Sequence, residues 1–488
     1  MKKIFLNTFL LSTILIVSCK KDITDLNVNP TRPQAVTSAS LFANASINLA
    51  DVLSSTNVNY NNFRLFVQYW TETIYRDETR YNLNGRTITD RWWATFYRDV
   101  IKDLTEASRV MDAETSTLSA EEVKNRKAIN EILIVYAYYH LITSFGDVPY
   151  TEALDIENLQ PTYDDAATVF DKIATRLDAA LTSLDEGAPA YGSADVILNG
   201  DVNGWKRFGN SLKMKMGMLV IDAEPAQART MILDAAPNVA SSNAENLKID
   251  FLASPPNTNP VWEDIVQSGR HDFVAAKPFI DTLKAFNDPR LPLYFNKDIT
   301  TGAGYLGQTP GVSATFNNFS APATALSQPD FPHTFFSYAE MEFYKAEAVE
   351  RGIPVGGTAE EHYNNAIDAS IMEWGGTQAQ ALAYRSQPSV KYTTAKGNYK
   401  QKIGLQSWIA LYNRGFDAWT QWRRLDYPIL NVPNMGATNP FGTDETPSVI
   451  KRLTYPVVEQ NLNKTSYNSA SSAIGKDQIT QRLWFDKF

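Results

Sequence analysis

The chain has a single cysteine, Cys19, in 488 residues. One thiol cannot close a disulfide within the chain. It also cannot furnish a cysteine zinc site or an iron–sulfur cluster. Histidine is almost as scarce: His140, His271, His333 and His362 are the only four. None forms a His-Glu-x-x-His pair, so a zinc hydrolase has no support. A Gly-x-Ser-x-Gly elbow and a phosphate-binding P-loop are both missing. Long basic runs are missing too, and the formal net charge is −9. An acidic chain without basic patches is a poor ligand for nucleic acid, so no nucleic-acid partner is expected. Calcium would need a loop of the Asp-x-Asp-x-Asp-Gly kind, and the sequence has none. No cofactor and no metal are predicted. Beyond residue 18 no apolar run approaches the roughly 20 residues that span a bilayer.

What is present begins at the first residue. Met1-Lys2-Lys3 forms a short positive head, and mostly apolar residues run from Ile4 to Val17. The run closes Ile16-Val17-Ser18-Cys19. Positive head, apolar middle and small residues before a cut make an export signal. A cysteine just past the cut makes it a bacterial lipobox, because the thiol is the nucleophile that takes the diacylglyceryl group. Residues 1–18 are therefore predicted to be removed, and Cys19 to carry lipid. Residues 19–36, polar and punctuated by Pro30 and Pro33, read as a tether and lead-in. The mature chain is then anchored to a membrane without crossing it.

Residues 37–488 are dominated by helical periodicity. Helices are predicted at about 38–54, 60–75, 91–111, 120–145, 163–185, 200–222, 275–286, 335–351, 358–374 and 402–425. Asp90 reads as the N-cap of the helix from Arg91. Ser119 with Glu122 reads as a capping box. The helix through Ile132–Ile142 is apolar nearly all round and should be central. Loop-rich stretches fall at about 252–272, 296–334 and 428–449. A loop near 39 residues long is uncommon in a compact domain and usually forms a binding or lid region. Small residues recur on the helices, but no strict repeat period emerges.

Aromatics make up 12% of the chain, with 10 Trp and 23 Tyr. Most belong to the core. Trp205, Trp408, Trp419 and Trp422 lie in helical patterns and read as scaffold, as does His140. Aromatics in polar, loop-like surroundings are different. A pyranose ring stacks its C–H face on such a side chain, and its hydroxyls pair with Asp, Asn or Arg. The candidates are Trp70, Tyr75 and Tyr81 near Arg80; Trp262 with Arg270 and Asp272; and Tyr305 and Phe316 in the long loop. Trp92 and Trp93 open a helix side by side, so one should face away from the core, and Trp92 joins the candidates. The competing reading for each is packing beneath a loop.

Several segments together resemble the SusD/RagB family of outer-membrane nutrient-binding lipoproteins, in its second SusD-like branch. They are Phe145-Gly146-Asp147-Val148-Pro149-Tyr150, Asn287-Asp288-Pro289-Arg290-Leu291, Ser337-Tyr338-Ala339-Glu340-Met341 running to Glu347-Ala348, Gly415-Phe416-Asp417-Ala418-Trp419 through Arg424, and Arg452-Leu453-Thr454-Tyr455-Pro456. The lead-in Asn27-Val28-Asn29-Pro30 is similar as well. The resemblance implies a mainly α fold: a tetratricopeptide-like helix-pair scaffold with a loop-rich ligand-binding portion and few short strands. It implies an outer-membrane location facing the cell exterior, and a partner, a SusC-like TonB-dependent transporter barrel. It implies that oligosaccharides are bound and delivered to that transporter for uptake, with no catalysis. A peptide-binding importer subunit of the same architecture is the alternative ligand class. Carboxylates are numerous, and a glycosidase needs only two at the right separation. A lipid-anchored glycoside hydrolase thus stays open as a second alternative.

Overall fold

Every residue from Ile132 to Phe145 is buried, so the helix Ala120–Phe145 runs through the middle of the molecule. That is what an all-round apolar helix requires. The structure is a computed structural model that describes residues 36–488 other than 84, 86, 115, 116, 438 and 442–445. Residues 1–35, with Cys19 and most of the lead-in, lie outside the described residues.

The scaffold consists of helices that pack against their sequence neighbours. Ala120–Phe145 packs on Ala166–Ser183, Val202–Leu219 on Pro225–Ala235, Tyr338–Glu350 on Ala359–Glu373, and Tyr399–Ala410 on Gly415–Leu425. In the last three pairs a short connection obliges the partner to double back, which makes a helix hairpin; residues 146–165 join the first pair. This is the expected mainly α scaffold of tetratricopeptide-like helix pairs. Buried residues from nearly all of these helices merge into a large core that includes Trp205, Trp408, Trp419 and Trp422.

Local rules hold in places and are redirected in others. Ser119 accepts from the Glu122 amide, but the Glu122 carboxylate pairs with Arg126 at 2.7 Å instead of closing the box. Asp90 does not cap its own helix, which begins at Ile88 after Thr87 in the left-handed region. Its carboxylate accepts from the amides of Val457 and Val458 at 2.9 and 3.2 Å and so caps the helix Val457–Leu462. The helix expected over 60–75 shrinks to Phe63–Phe66, because Gln68 adopts φ +58° and the chain turns into a strand at Trp70. The helix expected over 402–425 is two helices, separated at Asn413 with φ +70°. Trp92 and Trp93 are both buried, at 1% and 7% exposure, because their helix has neighbours on two sides. Trp92 faces His140 and Phe416, and Trp93 faces Phe145 and Tyr455.

Strands are few and short among the described residues. Trp70–Glu72 pairs antiparallel with Phe273–Ala275, and Leu247–Ile249 pairs antiparallel with His333–Phe336. These two ladders tie the loop-rich stretches to the helical scaffold. The 296–334 stretch is pinned further by Gly307 and Gly311. A Cβ on Gly307 would lie 2.5 Å from Lys277 Cα, and one on Gly311, whose φ is +81°, would lie 2.2 Å from the Asn434 carbonyl oxygen. Only glycine allows both approaches.

Candidate functional site

The Trp70–Glu72 ladder sets the site by placing Glu72 opposite Phe273. Beyond it the Thr73 amide donates to the Asp272 carbonyl at 2.8 Å, and the Ala314 amide donates to the Thr73 carbonyl at 3.0 Å. Three separate stretches of chain thus meet at one edge. The Asn259 amide donates to the Pro329 carbonyl at 2.7 Å, and the Asn259 side chain accepts from the Val261 amide at 2.7 Å. That cap starts the helical turn Pro260–Trp262 and fixes where Trp262 leaves the chain.

Two clefts open along this edge. One, of about 550 Å³, is lined by Thr56, Glu72, Tyr75, Glu78 and Asp264 among others. The other, of about 330 Å³, is lined by Trp262, His271, Asn296 and Phe316 among others. Arg270, Asp272 and Phe273 line both, so the two adjoin. Volumes of this size hold a small organic ligand. The Phe316 ring stacks on His271 with centroids 4.7 Å apart and planes 30° from parallel. Arg270 donates from Nε to Asp272 Oδ2 at 2.6 Å. The Arg270 side chain stays 61% exposed while that of Asp272 is 15% exposed, which leaves guanidinium donors within reach of a ligand. Flat apolar faces beside charged hydrogen-bonding groups suit a ligand that is apolar on one face and hydroxylated at its edge.

Acids outnumber bases along this groove. Glu72, Glu78, Asp264 and Asp272 stand against Arg270 in the larger cleft. Asp264 accepts from the Thr56 amide and hydroxyl at 3.2 and 2.9 Å, and burial pushes its carboxyl up. A neighbouring cleft of about 450 Å³ shares Asn57 and Asp264 and adds Asp51, Asp99 and Glu263. Burial first, then the charge of Glu263, push the Asp51 carboxyl up to about 7. A carboxyl raised on folding resists ionisation in the folded state. Its cost is absent below about pH 4, the ordinary range, and complete above about pH 7. Asp51→Asn should therefore melt higher than the parent at pH 8, by on the order of 2 °C, and match it at pH 4. Equal melting temperatures at pH 8 would show that Asp51 is not held against ionisation.

The candidates taken from the sequence divide by burial. Tyr75, Trp262, Arg270, Asp272 and Phe316 all line this groove. Trp70, Tyr81 and Trp92 do not, being each 1% exposed. Trp70 donates from Nε1 to the Tyr412 hydroxyl at 2.9 Å, Tyr81 packs edge-on to Phe66, and Trp92 donates from Nε1 to Ser144 at 3.0 Å. They are core residues and offer no face to a ligand in the groove. Tyr305 is half-buried against the core and lines neither cleft. His271, between Arg270 and Asp272 in the chain, is a lining residue that no pattern in the sequence pairs with Phe316. His140 is a core residue: its Nδ1 lies 2.8 Å from the Tyr136 carbonyl, and burial lowers it to about 3, so it is neutral. Asp288 and Arg290 form a buried two-point ion pair at 2.9 and 2.6 Å. Among the described residues no cluster of His, Cys, Asp or Glu could hold a metal ion, and no helix is long and apolar enough to cross a membrane.

Hairpins of helices carrying a groove built from loops define a ligand-binding protein on a helical-repeat scaffold. Residues 30–456 match the sequence model of a SusD-like family described as starch-binding associating with outer membrane, and the chain belongs to that family. It is a family of binding proteins, not of enzymes. Among solved structures the chain is similar to a chitin-binding SusD homolog from Flavobacterium johnsoniae, with 22% identity, 91% of this chain and 98% of that one covered, and a TM-score of 0.75. It is similar to a SusD homolog from Bacteroides uniformis, with 22% identity, 92% and 99% coverage, and a TM-score of 0.77. A SusD-like protein from Bacteroides thetaiotaomicron gives 21% identity, 91% and 99% coverage, and a TM-score of 0.74. These likenesses establish the fold. No curated protein matches the chain.

Proposed function

We propose that this protein is a cell-surface lipoprotein of the outer membrane that captures oligosaccharides in the Trp262–Phe316 groove and delivers them to a SusC-like TonB-dependent transporter barrel. The convergence of Trp262, the His271–Phe316 stack and the Arg270–Asp272 pair on one groove carries the reading. Family membership and the description of relatives as chitin-binding or starch-binding support it. The lipobox at Cys19 supplies the anchor. A binding protein held beside its transporter raises the local ligand concentration without any new contact. The acidic lining favours neutral or cationic ligands over uronates and sulfated sugars. The same lining is what would favour a basic peptide, the competing ligand class.

Titration calorimetry with malto- and chito-oligosaccharides, a polyuronate oligomer and lysine-rich peptides tests the ligand. Heat from neutral saccharides alone is expected. Heat from peptides alone would replace the glycan reading with the peptide one. Whole cells should lose the protein to added protease, and Cys19→Ala should move the folded protein out of the membrane fraction. Protection from external protease would place it on the periplasmic side.

A further inference from the structure

The groove does not end at Phe316. A further cleft of about 500 Å³ adjoins it, with Asn296 and Thr324 in both linings. Trp374 lines this cleft together with Phe331, Pro332, His333 and Glu373. Trp374 terminates the helix Ala359–Glu373 and is followed by Gly375 with φ +90°, where the chain turns toward the next helix, Gln378–Arg385. The core props the ring without enclosing it. Tyr294 meets it edge-on at 4.8 Å and Phe331 lies at 5.9 Å with planes 31° apart, while Trp374 is only partly buried.

Polar groups flank the ring. Glu373 accepts from the Asn246 side chain at 3.1 Å and lies 3.4 Å from the ammonium of Lys248, whose side chain is 32% exposed. The ring nitrogens of His333 have no hydrogen-bond partner among the described residues, although its backbone is fixed opposite Ile249 in the ladder. Burial first, then the charge of Arg414, lower His333 to about 3, so at neutral pH it is an uncharged imidazole with one donor and one acceptor. Such a group can pair with a hydroxyl in either sense. A flat ring beside polar groups repeats the first site's chemistry in an adjoining cleft, with a neutral two-way hydrogen-bonding group where the first site has the Arg270–Asp272 pair.

We propose that the Trp374–His333 cleft is a second saccharide subsite, occupied by the far end of the same chain that lies across Phe316, so that the groove selects ligands by length. The inference rests on the saccharide reading of the first groove. A short oligomer fills the Phe316 end alone, and a longer one gains the second ring as an intramolecular contact at no further translational cost.

Calorimetry with chitobiose and chitohexaose, and with maltose and maltohexaose, tests this on the folded chain. Phe316→Ala should weaken binding at both lengths. Trp374→Ala should leave the dimer's affinity within about twofold and reduce the hexamer's by about tenfold or more. His333→Ala, which removes hydrogen bonds but little packing, should repeat that length-dependent loss, and Trp374→Phe should recover most of it. Equal losses at both lengths for Trp374→Ala, or no loss at either while Phe316→Ala weakens both, would overturn the second subsite and leave the first intact. No binding of any of the four saccharides by the parent would overturn the underlying reading and the subsite with it.

Discussion

Asp417→Ala is expected to destabilise the protein by about 3–5 kcal/mol. Asp417 belongs to a buried quartet of two acids and two bases. Its Oδ1 lies 2.6 Å from Lys215 Nζ, and its Oδ2 lies 2.6 Å from Arg414 Nη2. Glu340 completes the ring, 2.9 Å from Lys215 and 2.6 Å from Arg414. The four side chains are between 2% and 9% exposed. They come from three helix hairpins: Lys215 from Val202–Leu219, Glu340 from Tyr338–Glu350, and Asp417 with Arg414 from the turn into Gly415–Leu425. The quartet is neutral as it stands. Removing Asp417 leaves one uncompensated positive charge out of reach of water, which is the costly case. Replacing all four by apolar groups would be far milder. The pH dependence follows from the carboxyl's position. Burial alone pushes it up, but Arg414 and then Lys215 outweigh burial and hold it well below the usual carboxylate range. A depressed carboxyl contributes stability above its unfolded value, near 4, and loses that contribution as pH falls toward its folded value. The gap between parent and Asp417→Ala should therefore be widest at neutral pH and narrow below about pH 4. Urea unfolding at pH 7 and pH 3 measures both. A loss under about 1 kcal/mol at pH 7 would mean that the charges are solvated after all.

This quartet shows where sequence reading stops. Glu340 and Glu347 lie seven residues apart on the helix Tyr338–Glu350, a spacing that puts them on one face and says nothing of their burial. In the structure both are buried, Glu347 against Arg424 at 2.6 Å and Arg351 at 2.9 Å. Arg351 is the i+4 neighbour of Glu347, but Arg424, Arg414 and Lys215 lie on other hairpins, and nothing local in the chain reveals a partner so far away in sequence. The helices were legible because their signals are local. Period, caps and terminating glycine predict 120–145, and the structure gives Ala120–Phe145, ended by Gly146 with φ +91°. Where a tertiary contact competes with a local signal, the local reading slips. Asp90 had the right chemistry for a cap and served another helix, and the segment from 60 to 75 lost most of its helix to the ladder with Phe273–Ala275. The groove was half legible for the same reason. Arg270 and Asp272 stand in a polar stretch that is a loop in the structure, and Trp262 and Phe316 in short helical turns within such stretches, whereas Trp70 and Tyr81 are buried. Trp374 was missed because it ends a helix. The Gly375-Gly376 that follows marks a turn between two helices, and so a ring at a helix end.

Phe316→Ala should weaken saccharide binding by about 2 kcal/mol, roughly thirtyfold in Kd, with little change in stability. Phe316 sits in a three-residue helical turn, Phe316–Asn318, and its ring contact is His271, which is itself exposed. Truncation removes one of two stacked faces and lets the imidazole turn away, so the loss exceeds that of a single rim contact. Little core is disturbed, because neither ring belongs to the buried cluster. Trp92→Ala is the opposite case. That ring is 1% exposed, packs against Phe63, Phe96 and Phe416, and donates to Ser144. Its removal should cost about 3–5 kcal/mol of stability, and saccharide affinity measured well below the melting transition should stay within about twofold of the parent. The two variants therefore separate a ring that lines the groove from one that packs in the core. Calorimetry and thermal melts on both decide the matter. Thirtyfold weaker binding in Trp92→Ala with an unchanged melt would put that tryptophan back in the site, and unaltered binding in Phe316→Ala would remove the stacked pair from it.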